Sequence, residues 1–169
     1  ISLGLVGSEM CIRDSHDKNN VLAWSSGNHA QAIASACYLT NKNATIVMPE
    51  DSPNAKLNGT KSWGANIITF DRYSESREEI GTNLAKEINA EIIPPFDHPD
   101  VINGQGTVGY EIIKDCKNNN VIPDLVLCCC GGGGLIAGVS TAIKAEYPNV
   151  PIYAVEPEDY NDTYLSLRD

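Results

Sequence analysis

The chain has 169 residues, of which 42% are hydrophobic and 20% charged, a composition typical of a globular protein of one domain or two small lobes. Its formal net charge of −10 disfavours binding to nucleic acid or to an anionic membrane surface. Because no apolar run approaches the length of a bilayer span, we expect no membrane partner. The cysteines include the run Cys128–Cys130 but no CxxC pair, so we interpret them as reduced thiols of a cytoplasmic protein.

Short apolar strands alternate with helix-period segments from Val21 onward. The predicted strands are Val21–Trp24, Ala44–Met48, Asn66–Phe70, Glu91–Ile93, Asp124–Cys129 and Pro151–Val155. Helices are predicted from about Asn28, from Pro53 in a first turn until Gly64, over Ser74–Asn89, and along the apolar positions of Val108–Cys116 and Ile136–Ile143. This alternation predicts an α/β fold with open, mostly parallel sheets and helices on both faces.

Two features set the predicted boundaries of the chain. The segment Ile1–Ser15 has no hydrophobic period and resembles a translated cloning adapter, so residues 1–15 are predicted to be a non-native leader. The proline-rich segment Pro94–Pro99 is the predicted boundary between two lobes.

Four glycines, Gly131–Gly134, stand between a predicted strand and a predicted helix. Glycine lets the backbone approach an anion closely, and the helix start offers unpaired N–H groups, so the segment predicts a phosphate site. The alternative is a flexible turn, but four consecutive glycines are entropically costly. Gly132-x-Gly134-x-x-Ala137, with Glu156 after the next strand, also fits a dinucleotide-binding pattern, which leaves the kind of phosphate open.

The segment SSGNHAQ, Ser25–Gln31, is a second strand-to-helix turn. Its backbone N–H groups and the side chains of Ser26 and Asn28 are expected to converge at a helix N-terminus, which predicts another anion site. The alternative is a simple helix cap, with Ser26 or Asn28 capping and His29 partly exposed. Two such turns suggest a cofactor and a substrate bound at the carboxyl ends of the strands.

The order of the motifs resembles the threonine/serine dehydratase and serine racemase group of fold-type II pyridoxal-phosphate enzymes. The resemblance runs from about Val21 to Arg168. It is carried by SSGNHAQA, TIVMP, Pro53 with Lys56, Gly64-Ala65, PPFDHPDVINGQGT, GGGGL and AVEPE. It implies a two-lobed fold, here incomplete at both ends. Residues 16–93 are then a smaller α/β lobe with the substrate-binding turn, and residues 94–169 part of the larger lobe that binds the cofactor phosphate.

The resemblance also implies roles for individual residues. The backbone N–H groups of Gly131, Gly132, Gly133 and Gly134 would hold the phosphate of pyridoxal 5'-phosphate, and Asn28 would contact the pyridoxal 3-hydroxyl. The carboxylate of an amino-acid substrate would be cradled by four residues of the turn, Ser25, Ser26, Gly27 and His29. Ser26 matches the second acid/base of the racemases.

A divalent-cation site is implied near the end of the chain. Glu156, Asp162 and the backbone carbonyl of Tyr160 match the family's site, and hard oxygen ligands suit Mg²⁺ or Ca²⁺. The alternative is a solvated acidic loop.

The chain departs from the family pattern at the Schiff-base lysine. In the family this lysine lies upstream of SSGNH in a Ser-Phe-Lys context, and none of the lysines here has that context. We therefore expect a fragment that is inactive alone.

The favoured function is a PLP-dependent ammonia-lyase (dehydratase) acting on serine, threonine or 3-hydroxyaspartate. A racemase of the same family is the first alternative. A dinucleotide-binding oxidoreductase domain and a non-catalytic ligand-binding module are alternatives from other classes. A homodimer is implied for the full-length protein.

Overall fold

The computed structural model describes residues 18–168, which form two compact units, one ending at Pro95 and the other beginning at Phe96. The predicted leader, residues 1–15, lies outside the described residues. The assignment of the units to a smaller lobe and to part of a larger lobe stays a prediction. No helix within residues 18–168 is long and apolar enough to cross a membrane.

The strands and helices alternate along the described chain. The strands are β1 (Asn20–Trp24), β2 (Asn43–Pro49), β3 (Asn66–Phe70), β4 (Ala90–Ile92), β5 (Val126–Cys129) and β6 (Ile152–Val155). The helices are α1 (Asn28–Leu39), α2 (Asn54–Ser62), α3 (Arg77–Glu87), α4 (Pro99–Asn118), α5 (Gly134–Glu146) and α6 (Asp162–Ser166). All strand pairings among these residues are parallel, which confirms the predicted fold class.

The first unit contains a four-stranded sheet in the order β3-β2-β1-β4. Trp24 at the end of β1 pairs with Val47 of β2, and Pro49 at the end of β2 pairs with Phe70 at the end of β3. Because the strands are parallel, the segments that follow β1, β2 and β3 leave the sheet at the same edge. This edge positions the SSGNHAQ turn.

Helices cover both faces of this sheet. The predicted stripe of α1, with Ala30, Ile33, Ala34 and Cys37, is at most 1% exposed, and α1 packs on β1 and β2. A second core cluster joins Leu22, Val47 and Phe70 of the strands to Ala85 of α3. Burial on both sides explains why β1 and β2 read as nearly continuous apolar runs.

The second unit contains the two-stranded sheet β5-β6. One face of this sheet packs against α4 and α5 through a cluster that includes Cys128, Val139 and Ile143. The residues at alternate strand positions, Leu127 and Tyr153, pair with each other and are 65% and 55% exposed.

Helices α4 and α5 cross so closely that side chains are excluded at the crossing. A Cβ at Gly138 would overlap the backbone oxygen of Ile102, and a Cβ at Gly106 would lie 3.3 Å from the oxygen of Gly138. Glycine therefore sets the distance between the two helices, and α5 is the helix that begins at the glycine loop.

Several element predictions differ from the structure. Helix α4 spans Pro99–Asn118, whereas its apolar positions predicted only Val108–Cys116. Helix α3 begins at Arg77 and not at Ser74, because the Asp71 carboxylate accepts hydrogen bonds from the backbone of Tyr73 (2.9 Å) and the hydroxyl of Ser74 (2.7 Å) and forms a turn. Pro53 has ψ 135° and precedes α2, so it is not in the first helical turn. Helix α6 was not predicted from the sequence.

Candidate active site

The SSGNHAQ turn begins where β1 ends. The backbone N–H of Ser25 still donates to the carbonyl of Val47 at 3.1 Å, so Ser25 extends the pairing with β2. The Ser25 hydroxyl accepts a hydrogen bond from the N–H of Gly27 at 3.2 Å. This contact closes the turn locally and fixes the direction in which α1 leaves the sheet.

Helix α1 has no side-chain cap, so the predicted alternative of a cap by Ser26 or Asn28 is wrong, although His29 is partly exposed as that alternative expected. Its N-cap is Gly27, which has no side chain to accept from the N–H groups of the first turn, and that turn holds no acidic residue. The first helical bond joins the N–H of Gln31 to the carbonyl of Gly27 at 3.2 Å. The N–H groups that precede Gln31 have no partner within the helix, and they carry the positive end of its dipole.

Two other helices, α3 and α4, have N-termini that are capped by a side chain. Helix α3 is capped by the Ser76 hydroxyl, which accepts from the N–H of Glu79 at 3.2 Å, and Glu78 and Glu79 lie in its first turn. Helix α4 is capped by His98, with Asp100 in its first turn. Helix α2 lacks a side-chain cap as well, so the absence of a cap does not identify an anion site without the glycine turn.

The His29 side chain points back toward the sheet. Its Nε2 lies 3.2 Å from the carbonyl oxygen of Ile93, so Nε2 donates this hydrogen bond and the neutral ring keeps Nδ1 as an acceptor. Burial lowers the pKa of His29, although the hydrogen bond to Ile93 opposes the shift. A neutral ring in this tautomer cannot donate to an anion, so only the backbone N–H of His29 is suited to a carboxylate.

A cavity of about 370 Å³ opens at the edge of the sheet where β1, β2 and β3 end. Ser25 and Ser26 line it, and its charged lining residues have both signs: Arg72, Arg77, Glu75 and Glu78. The Nε of Arg77 donates to a carboxylate oxygen of Glu78 at 2.7 Å. Arg72 is held by Asp51, with its Nε and Nη2 at 2.9 and 2.6 Å from one carboxylate oxygen of Asp51. Neither arginine was predicted from the sequence as a site residue. The position of Arg72 just after β3 could have indicated it, since parallel strands end at the same edge of the sheet.

The glycine loop in the second unit joins β5 to α5. Gly133 is the N-cap and has φ +83° and ψ −16°, a left-handed conformation that glycine adopts without strain. No side chain caps α5 and its first turn has no acidic residue. A Cβ at Gly131 would meet no atom within 4 Å, whereas a Cβ at Gly132 would overlap the Phe96 ring.

The loop therefore fits a phosphate. It combines a left-handed glycine with a helix N-terminus whose N–H groups have no internal acceptor from a side chain, and open space lies beside Gly131.

Glu156, in the acidic segment near the end of the chain, accepts hydrogen bonds that stabilise the start of α6. Both carboxylate oxygens of Glu156 accept hydrogen bonds at the start of α6, from the N–H of Thr163 at 3.1 Å and from the N–H of Tyr164 at 3.0 Å. Desolvation opposes ionisation, but the hydrogen bonds from Thr163 and Tyr164 lower the pKa of Glu156. Within residues 18–168, no group of three or more His, Cys, Asp or Glu side chains could hold a metal ion.

The cysteine run alternates between the faces of the sheet, as strand geometry requires. Cys128 and Cys130 are buried, and Cys129 between them is exposed. Burial raises the pKa of Cys128. Burial also raises the pKa of Cys37 to about 12. Both side chains are therefore protonated and act as small apolar groups near neutral pH.

Comparison with known proteins identifies the class of this site. The family model described as pyridoxal-phosphate dependent enzyme matches residues 4–169. L-threo-3-hydroxyaspartate ammonia-lyase of Saccharomyces cerevisiae is 44% identical over 98% of this chain and 49% of its own length. Serine racemase of Schizosaccharomyces pombe is 41% identical over 93% of this chain and 47% of its own length.

A solved structure agrees with these relatives. The crystal structure of the threonine deaminase of T.th. has a TM-score of 0.89 and 39% identity, with coverage of 99% of this chain and 54% of that chain. The fold of this chain is thus similar to that of about half of the threonine deaminase chain.

The chain belongs to the pyridoxal-phosphate dependent enzyme family, as the motifs predicted. It spans about half the length of the curated relatives that it matches, 49% and 47% in the two cases above. Membership in this family favours pyridoxal phosphate over the dinucleotide alternative for the glycine loop.

Proposed function

We propose that the protein carrying this chain is a PLP-dependent ammonia-lyase that dehydrates a hydroxy amino acid. The observation that carries the proposal is the left-handed Gly133 at the uncapped N-terminus of α5, in a chain of this family. The names of the relatives support the reaction type, since they include ammonia-lyases and a dehydratase.

The glycine loop holds the cofactor in this proposal. The backbone N–H groups of Gly131, Gly132, Gly133 and Gly134 donate to the phosphate, and the dipole of α5 stabilises its charge. Asn28 contacts the 3-hydroxyl of the pyridoxal ring. When bound, the cofactor supplies an electron sink for the bonds at the substrate's α-carbon.

The SSGNHAQ turn holds the substrate carboxylate. Ser25, Ser26, Gly27 and His29 provide its donors, and His29 acts through its backbone N–H because its ring nitrogen Nε2 is used by Ile93. In this proposal Ser26 holds or moves a proton at the substrate's α-carbon. An uncapped helix end can bind the carboxylate in this way without a charged side chain on α1.

The names of two relatives support a substrate with an acidic side chain. The cavity beside Ser25 and Ser26 does not by itself select one, because Arg72 is paired with Asp51, Arg77 is paired with Glu78, and Glu75 and Glu78 also line it. Two relatives, 44% and 43% identical, are named L-threo-3-hydroxyaspartate ammonia-lyase. Among serine, threonine and 3-hydroxyaspartate, this favours 3-hydroxyaspartate.

A racemase is the second candidate function. It is supported by the serine racemases among the relatives and by Ser26, the residue that matches the second acid/base of racemases. Chiral analysis of the amino acid left after partial turnover separates the two: a racemase produces the opposite enantiomer, whereas a lyase produces ammonia and a keto acid only.

The experiment for the proposed function uses the natural protein that carries this sequence. It is incubated with pyridoxal phosphate and with 3-hydroxyaspartate, threonine or serine, and ammonia release is measured. We expect release with at least one of them, fastest with 3-hydroxyaspartate. No release from any, together with no cofactor binding by absorbance, would refute the proposal.

The missing lysine gives a separate expectation for the 169-residue chain. None of its lysines lies in the family's Ser-Phe-Lys context, so borohydride should not fix the cofactor to a lysine of this chain. Peptide mass mapping after reduction checks this. A single modified lysine would contradict it and identify the anchoring residue.

The cation expectation remains a prediction. Glu156, Asp162 and the Tyr160 carbonyl offer fewer oxygens than the six to eight that Ca²⁺ takes, and both Glu156 oxygens already accept backbone hydrogen bonds. Water would have to complete the shell. A thermal shift with Mg²⁺ relative to EDTA is the test, and an unchanged melting temperature would argue against a site. A cytoplasmic location and a homodimer stay proposals for the full-length protein.

A further inference from the structure

Lys56 lies against the turn that is proposed to bind the substrate carboxylate. It is in the first turn of α2, and a Cβ at Gly27 would lie 2.8 Å from its Nζ, 3.1 Å from its Cδ and 3.2 Å from its Cε. The end of the Lys56 side chain therefore covers the backbone of Gly27. The contact is possible because residue 27 has no side chain.

Lys56 is a half-buried residue whose ammonium has no acceptor among the described residues. Within residues 18–168 its Nζ makes no hydrogen bond and no ion pair. Lys18, by contrast, donates to the carbonyl of Ala90 at 3.2 Å, and Lys117 pairs with Glu146 at 2.9 Å. An ammonium without an acceptor gains a charge-assisted hydrogen bond when an anion binds beside it, so the position of Lys56 next to the proposed binding turn is informative.

The local field makes the placement of Lys56 unfavourable without a ligand. Gly27 is the N-cap of α1, where unpaired N–H groups already concentrate positive charge. No acidic residue lies in the first turn of α1 to balance it. The carboxylate of Asp51, which precedes α2, is paired with Arg72 at 2.6 Å. Two positive features thus meet at Gly27, and an anion would satisfy both.

We propose that Lys56 supplies the charge that holds the substrate's α-carboxylate at the Ser25–Gly27 turn. This inference rests on the proposed function, which assigns the carboxylate to the same turn. Lys56 donates an N–H to a carboxylate oxygen from the α2 side, and the N–H groups of α1 donate from the other. It is a binding residue, and it neither takes nor gives the α-proton.

The test separates charge from shape with two small probes, propionate and its neutral isostere propionamide. Binding to the natural protein is measured by calorimetry and thermal shift at constant ionic strength. We expect propionate to bind and propionamide not to bind. Lys56→Met should weaken propionate about tenfold or more, since a charge-assisted hydrogen bond is lost. Lys56→Arg should retain binding within about threefold.

Three controls keep the test decisive. Lys61→Met, at an exposed lysine in the last turn of the same helix, should bind propionate like the wild type. Cofactor affinity should be unchanged in Lys56→Met, because the phosphate site lies at a different turn. Gly27→Ala keeps the lysine but displaces its ammonium, so it should also weaken propionate.

The possible outcomes separate this inference from the proposed function. If the wild type binds propionate and Lys56→Met binds it equally well, the role of Lys56 is refuted while the turn assignment survives. If the wild type binds neither probe, the turn does not hold a carboxylate and both fall. An equal loss of cofactor and propionate in Lys56→Met would also overturn the assignment to the carboxylate.

Discussion

Gly133 offers a sharp test of the phosphate site, because the same strain can be introduced elsewhere in the chain. Gly133 has φ +83° and Gly64 has φ +79°, and a Cβ at either would meet no atom within 4 Å. An L residue in the left-handed region costs about 1–2 kcal/mol. Gly133→Ala and Gly64→Ala should therefore lower the free energy of unfolding by similar amounts of about 1–2 kcal/mol, measured by denaturant titration.

Only one of the two substitutions should affect the cofactor. Gly64 lies after the C-terminal end of α2, whereas Gly133 is the N-cap of α5, and its conformation sets the direction of the first N–H groups of that helix. If the loop relaxes out of the left-handed conformation, charge-assisted hydrogen bonds to the phosphate worth about 1.5–3 kcal/mol are lost, which corresponds to about 10- to 150-fold in affinity. Pyridoxal phosphate binding is followed by absorbance and fluorescence titration.

Gly64→Ala is the control for backbone strain. Gly64→Ala should bind the cofactor like the wild type despite its lower stability. Equal losses of affinity in both variants would show that strain alone weakens binding, and unchanged affinity in Gly133→Ala would show that the loop does not hold the phosphate.

Further predictions concern single contacts. Ser76→Ala removes the cap of α3 and should cost about 0.5–2 kcal/mol of unfolding free energy by denaturant titration; an unchanged midpoint would contradict this. Gly138→Ala puts a Cβ onto the Ile102 oxygen and should cost about 1–3 kcal/mol, with Gly106→Ala costing less because its contact is 3.3 Å; the reverse order would be inconsistent with the crossing. The pKa of His29 is lowered from 6.5 by burial, so the unfolded chain binds more protons below pH 6.5, and stability should fall as pH drops through that range. The pH slope should flatten in His29→Gln, and an identical slope would place the titration elsewhere.

Local sequence patterns account for most of the fold. The apolar stripe of α1 and the bounds of β3, Asn66–Phe70, follow from residues within one element, and the structure reproduces both. The glycine loop could also be predicted from the sequence, because glycine adopts a positive φ without strain, as at Gly133.

Features that depend on residues distant in the sequence could not be predicted from local patterns. At the start of helix α6, the N–H groups of Thr163 and Tyr164 donate hydrogen bonds to the carboxylate of Glu156. The short sequence of α6 has no apolar period. The tautomer of His29 depends on the carbonyl of Ile93, 64 residues away. The individual role of each site residue remains a prediction, because a turn that binds an anion and a turn that only joins two elements have the same local sequence requirements.

The parallel sheet of the first unit has a consequence for how substrate choice can evolve. The residues that buttress the fold lie inside β1 and β2, whereas Ser25, Ser26 and Arg72 lie just beyond the strand ends. Substitution at these exits leaves the interior packing untouched, so its thermodynamic penalty is small. Residues at this edge can therefore change with little cost to the fold, which suits a family whose relatives carry the names of dehydratases, racemases and ammonia-lyases.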